Sequence, residues 1–194
     1  MRSARGSRTS HDGSVALSLN RPVAPDPYAL LPAVPAFTLR SEDVTDGAPL
    51  PDAATNTPRG DNVSPQLSWS GFPPETVSFA VSCFDPDAPG VSGWWHWTVL
   101  GLPASVTSLA RGAGRPDGRG LPSGAVQLRG DDGVAGYVGA APPPGDQVHH
   151  YYFVVHALDT DHLGLAADTP PGAASTALVF HTIARAVLVG TYQR

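Results

Sequence analysis

The 194 residues contain a single cysteine, Cys83. That excludes an intrachain disulfide framework and points to a reducing compartment. Charge is also scarce, with 15% of residues charged against a usual ~25%. Basic residues number 12 and acidic ones 17, for a formal net charge of −5. A nucleic-acid surface needs the opposite balance, and a mildly acidic chain is not drawn to an anionic membrane. No apolar run approaches the ~18 residues that span a bilayer. Arg2, Arg5 and Arg8 precede an apolar patch at 15–19 that Ser18 interrupts. That patch is too short for the ~7–15-residue core of a signal peptide, so a cytoplasmic location is expected. Signatures of chemistry are missing too. There is no HExxH, no cysteine cluster and no G-x-S-x-G, so neither metal, cofactor nor hydrolase nucleophile is expected.

What the chain does have is turns. Glycine and proline number 21 each, short of the ~25–30% that marks low-complexity disorder. They separate short apolar runs, as turns between strands do. Residues 1–26 lack periodicity and read as a disordered N-terminal tail, of which 1–15 could also precede the native start; a domain follows over 27–194. Strands are expected at 36–39, 66–70, 77–85, 94–100, 125–128 and 149–158, with loops at 41–65, 101–124 and 130–146. The segment 173–189 holds neither glycine nor proline. Ala174, Leu178, Val179, Ile183, Ala186 and Val187 fit helical spacing, with Ser175 or an earlier residue as cap and Gly190 as the end. Many strands and then one helix predict an antiparallel sandwich with a helix appended.

Three places carry polar groups where chemistry could occur. Along the strand at 77–85, Phe79, Val81, Cys83 and Asp85 share a face. If that face is the core, Asp85 points inward just where Pro86 stops the strand, and a buried carboxylate needs a partner. The alternative is that Asp85 and Asp87 only fix the turn Asp85-Pro86-Asp87-Ala88-Pro89. In Trp94-Trp95-His96-Trp97, strand parity groups His96 with Trp94 and Thr98 and sets Trp95 and Trp97 opposite. His96 is either a pocket wall or a satisfied core residue. A carboxylate beside it, Asp85 being the candidate, would raise its pKa and favour the cation. Third, a loop with Gly139, Ala140 and Ala141 can aim N–H groups at an anion, whereas its prolines cannot. The strand after it places His149 and Tyr151 on the face of Phe153 and Val155. His149 and His156 fall on opposite faces, which argues against a shared metal.

Taken in order, these segments resemble the phosphatidylethanolamine-binding protein (PEBP) family, in its bacterial Raf-kinase-inhibitor-like (YbhB/YbcL) branch. The matching residues are Ser64-Pro65-Gln66-Leu67-Ser68-Trp69-Ser70, Asp85-Pro86-Asp87-Ala88-Pro89 and Gly93-Trp94-Trp95-His96-Trp97. They continue with Leu121-Pro122-Ser123-Gly124-Ala125, Tyr137-Val138-Gly139, Pro142-Pro143, Gly145-Asp146, 149–158 and Gly190-Thr191-Tyr192-Gln193-Arg194. The resemblance implies a mostly-β Greek-key sandwich of two antiparallel sheets with a C-terminal helix, and a small cavity that accepts phosphate-like anions. Its pocket positions fall on Asp85, His96, Pro143, His149 and Tyr151, with Asp87 supporting the turn. Gly139 and Ala141 belong to the loop that would offer N–H groups.

The chain departs from the family in reading His149-His150-Tyr151 where His-Arg-Tyr is usual, in Ala140-Ala141, and in Gly130-Asp131 for an Asn-Asp pair. The functional expectation is a binding protein for a small anionic or phosphorylated ligand, tighter when histidine is protonated. The alternatives are an inhibitor of a partner kinase or protease and, least favoured, a hydrolase using the Asp/His/Tyr pocket. A homodimer is implied by the branch alone.

Overall fold

Aromatic and β-branched residues crowd into two runs, and these form the middle of the larger sheet. A computed structural model describes residues 19–194, so the part of the expected tail at 1–18 lies outside the described residues. In β3 (Ser78–Asp85) and β7 (His149–Leu158) all but one residue each is buried. A strand covered on both faces has no solvent side to mark with polar residues. The other strands are β1 (Thr38–Arg40), β2 (Leu67–Ser70), β4 (Trp94–Pro103), β5 (Ser108–Leu109), β6 (Val126–Gln127) and β8 (Thr182–Tyr192). One helix, α1 (Pro171–His181), lies between β7 and β8.

The five-stranded sheet runs β6-β4-β3-β7-β8 and the three-stranded sheet β1-β2-β5, every neighbouring pair antiparallel. Between them Leu67, Trp69 and Leu109 of the small sheet meet Phe79, Val81, Trp97, Val99, Phe153 and Val155 of the large one. On the far face, Ala174 and Leu178 of α1 cover Ala80, Leu100, Leu128 and Leu158. The expected architecture of two antiparallel sheets and a helix near the C-terminus is what the chain adopts.

The helix is shorter than 173–189, and it is not the last element. It ends at His181 and the chain continues into β8, paired with β7 from Leu158↔Thr182 to His149↔Tyr192. The apolar positions over 182–189 suit either period, and no glycine or proline marks the switch. The decision is tertiary. A buried β7 with one bare edge would leave a row of unpaired backbone groups, and β8 satisfies them. Thr182 makes the junction, with both its N–H and its hydroxyl on the Leu178 carbonyl. At the other end Pro170 and Pro171 start the helix and no side chain caps it, so Ser175 has no such role. Two smaller elements lie in stretches expected to be loop: β5, and a 3-10 turn at Asp52–Ala54.

Residues 19–30, most of them assigned to the tail, are docked on the domain. Arg21 and Ala24 bond to the loops around Asp146 and Asp87. Tyr28 lies against Tyr152 and His156 on the outer face of the large sheet, with the Arg185 guanidinium 5.3 Å from its ring centre.

Candidate functional site

Asp85 closes β3 on the inner face, as strand parity requires. Its Oδ1 accepts the Asp87 N–H at 2.8 Å, which makes the carboxylate the hinge of the turn. His149 and Tyr151 come up from β7 on the same side as Phe153. His96 reaches them by a different route. Cys83 pairs with Trp97 and Phe84 with Trp95, so His96 is the extra residue of a β-bulge. A bulge lets two consecutive side chains share one face. Trp97 therefore enters the core while His96, which simple alternation sets on the opposite face, packs its ring 5.2 Å from that of Tyr151.

These groups meet in a cavity of about 290 Å³. Asp85, His96, Gly139, Ala141, Pro143, His149 and Tyr151 all line it, together with Trp94 and the unanticipated Asn56 and Asp132. Asp87 does not. Its Oδ1 accepts the Ala24 N–H at 2.9 Å, and its Oδ2 accepts the His150 N–H at 3.0 Å and His150 Nδ1–H at 2.7 Å. It braces the turn from behind, and His150, on the strand face away from the cavity, is its partner.

The charges are ordered in a chain. His149 donates Nδ1–H to Asp85 Oδ2 at 2.7 Å and Nε2–H to Asp146 Oδ2 at 3.0 Å. Arg21 Nη2 also stands 3.4 Å from Nε2, but the carboxylate oxygens are nearer and can only accept, so a proton on both ring nitrogens, the imidazolium, matches this setting. Burial pulls its pKa down, but the bonds and charges of Asp85 and then Asp146 outweigh that and leave it raised. Asp146 in turn receives Arg21 through both guanidinium nitrogens, at 2.6 and 2.9 Å. That bond, acting against burial and helped by His149 and the Gln147 N–H, holds the carboxyl far below its usual range. Arg21 also donates to the Asp87 carbonyl. Two carboxylates thus face two cations, and the His149 ring has no free N–H to offer the cavity.

His96 behaves differently. Its Nδ1 lies 2.6 Å from the Val138 carbonyl, which can only accept, so Nδ1 carries the proton. Burial lowers its pKa despite the Val138 bond and the nearby Asp85, Asp132 and Asp131. The ring is neutral and Nε2 presents a lone pair. The expected Asp85–His96 pairing is therefore replaced: Asp85 holds His149, and His96 leans on a backbone carbonyl. Tyr151 Oη is buried and makes no close hydrogen bond among the described residues, with the Asp85 carboxylate as its neighbour. Burial first, then the Asp85 charge, push its pKa well up, so it stays an O–H donor.

The loop gives fewer N–H groups than expected. Val138 N–H is taken by the His96 carbonyl and Gly139 N–H by Asn62 Oδ1 at 2.7 Å. Ala140 is bridged to Thr55 and does not line the cavity, and Pro142 and Pro143 have no N–H, which leaves Ala141. Gly139 serves close packing instead, since a Cβ there would sit 2.7 Å from the Thr55 carbonyl carbon and 2.9 Å from Asn56 N. Gly139→Ala is expected to cost about 1–3 kcal/mol by overpacking, read as a lowered urea midpoint; an unchanged midpoint would show that the loop yields freely.

Arg21 gives no signal in the sequence, because its neighbours have no pattern. His150 could have been found, being one strand position from His149 and basic where the turn needs a partner for Asp87.

Known proteins share this fold. The sequence profile described as phosphatidylethanolamine-binding protein matches residues 40–193. YbcL of Escherichia coli K12 is 45% identical over 161 residues, 81% of this chain and 88% of its own. YbhB of the same organism is 41% identical over 160 residues, 79% and 98% of the two chains. The crystal structure of E. coli YbcL, described as a new member of the mammalian PEBP family, superposes with a TM-score of 0.79 at 44% identity, covering 81% of this chain and 98% of that one. A PEBP homologue from Chlamydia trachomatis superposes with a TM-score of 0.66 at 32% identity, covering 82% and 98%. With the profile spanning both sheets and the cavity, the chain belongs to the phosphatidylethanolamine-binding protein family.

Proposed function

We propose that this protein binds a small phosphorylated or otherwise anionic ligand in the cavity between Asp85, His96 and Tyr151. The observation that carries this is the buried Tyr151 hydroxyl, which makes no close hydrogen bond among the described residues, has only the Asp85 carboxylate beside it, and lines the cavity next to the His96 ring. A buried hydroxyl left unbonded costs free energy that a ligand oxygen recovers. The family name records a lipid whose headgroup is a phosphate ester, which is the same class of ligand. Apolar walls from Trp94, Pro142 and Pro143 leave room for a small substituent beyond the anion.

The same groups favour binding over turnover. Tyr151 is held protonated, His149 has both nitrogens engaged, and Asp85 is committed to His149 and the Asp87 N–H. Calorimetric titration with inorganic phosphate and O-phosphoserine tests the proposal. Both are expected to bind wild type, and Tyr151→Phe is expected to weaken them about tenfold or more, since hydrogen bonds to charged groups contribute roughly 1.5–3 kcal/mol. Equal affinity of wild type and Tyr151→Phe would remove the cavity floor as the site.

A further inference from the structure

We infer that Arg21 is a positioning residue of the anion cavity, delivered there by a proline-stiffened strap, residues 19–28, whose far end is anchored on the outer face of the large sheet. That role rests on the proposed anion site and governs it: the strap must be seated for the cavity to hold its ligand.

The strap is attached at both ends. At one end Arg21 Nη1 and Nη2 donate to the two oxygens of Asp146 at 2.6 and 2.9 Å, and Nη2 also donates to the Asp87 carbonyl. Further along, the Ala24 N–H donates to Asp87 Oδ1 at 2.9 Å. At the other end the Arg185 guanidinium lies 5.3 Å from the Tyr28 ring centre, and the Tyr28 hydroxyl lies 3.4 Å from Ser82 Oγ. Arg185 Nε is buried with no hydrogen-bond partner among the described residues, so the Tyr28 ring is a needed neighbour for that cation. Between the anchors lie Pro22, Pro25 and Pro27. Each fixes φ, so the strap carries its seating from Tyr28 to Arg21 instead of taking up slack.

Arg21 holds the back of the cavity. Asp85, Ala88, Pro89 and His149 line the cavity, and Asp87 and Asp146 stand behind them. Asp146 Oδ2 accepts His149 Nε2–H at 3.0 Å, and Asp87 belongs to the turn that carries Ala88 and Pro89. The guanidinium fork therefore reaches the supports of both walls at once, which a single ammonium does not reproduce. It also balances charge. Asp85, His149, Asp146 and Arg21 alternate in sign along one chain of contacts. Without Arg21, two buried carboxylates share one cation behind a cavity that already has Asp132 in its lining. The added negative charge opposes an anionic ligand.

Calorimetric titration with inorganic phosphate at constant ionic strength, together with amide hydrogen exchange at Ala24, tests this on the full chain. Wild type is compared with Arg21→Ala, Arg21→Lys and Tyr28→Ala, none of which alters a residue lining the cavity. Arg21→Ala is expected to bind phosphate about tenfold or more weakly, the scale of coupling between linked sites, while keeping the wild-type circular dichroism spectrum. Arg21→Lys should recover part of that loss. Tyr28→Ala removes the remote anchor, so the Ala24 N–H should exchange faster and phosphate affinity should fall with it. Coupling is reciprocal, so saturating phosphate should slow Ala24 exchange in the wild type. Arg21→Ala binding phosphate as tightly as wild type overturns the inference and leaves the anion site standing, and so does Ala24 exchange that phosphate does not slow. Should Arg21→Ala fail to fold, Tyr28→Ala decides: faster Ala24 exchange with unchanged phosphate affinity overturns the inference. A wild type that binds no phosphate removes the site itself, and the role of the strap with it.

Discussion

Replacing His149 with leucine should destabilise the protein by about 3–5 kcal/mol, the range for removing one partner of a buried ion pair. His149 and both its carboxylates are almost wholly buried. Asp146 keeps Arg21 after the change, but Asp85 loses its cation and retains the Asp87 N–H and the neighbouring Tyr151 hydroxyl. The deficit should depend on pH in a way that identifies its origin. In the wild type the His149 pKa is raised. Its stabilisation is complete below the ordinary histidine value of ~6.5 and is lost as pH rises through the raised folded value. In the variant Asp85 is left buried without its cation. The gap between the two proteins therefore narrows toward alkali. Asp85→Asn combined with His149→Leu should recover much of the loss, because neither charge is then left alone. Urea midpoints across pH check this. A gap that stays constant with pH would mean that His149 contributes packing rather than charge.

Trp97→Ala should cost a similar amount, about 3–5 kcal/mol, for a different reason. Trp97 is fully buried between the sheets, edge-on to Tyr137 with ring centres 5.9 Å apart. Its indole N–H donates to Gln127 Oε1 at 2.7 Å, tying β4 to β6. Truncation opens a cavity directly after the bulge that aims His96. Loss of phosphate affinity should therefore accompany loss of stability, even though Trp97 does not line the ligand cavity. Trp97→Phe fills most of the volume and should retain most of both. A Trp97→Ala midpoint within the ±0.5 kcal/mol typical of surface changes would show that the core collapses around the gap.

Much of the fold follows from residues close together in the chain. Phe79, Val81, Cys83 and Asp85 share a face because strand side chains alternate, and so do His149, Tyr151, Phe153 and Val155. Both faces turned out to be core-side, and both polar ends line the cavity. The same rule misplaced His96, since alternation has no way to register a bulge that exists only opposite Cys83 and Phe84. It also left 182–189 in a helix. The apolar spacing there is ambiguous, and the competing demand comes from a strand more than twenty residues away.

Six of the eight strands, the inward direction of Asp85, His149 and Tyr151, and the family pattern they belong to were legible in the sequence. Those are short-range properties, set by side-chain alternation, turn residues and local composition. Tertiary structure alone decided who bonds to whom. Asp85 took His149 rather than His96, Arg21 came from 125 positions away to hold Asp146, and the Val138 carbonyl chose the His96 tautomer. Hydrogen bonds and ion pairs depend on distances of a few tenths of an ångström between segments that are distant in the chain, and no local pattern encodes them.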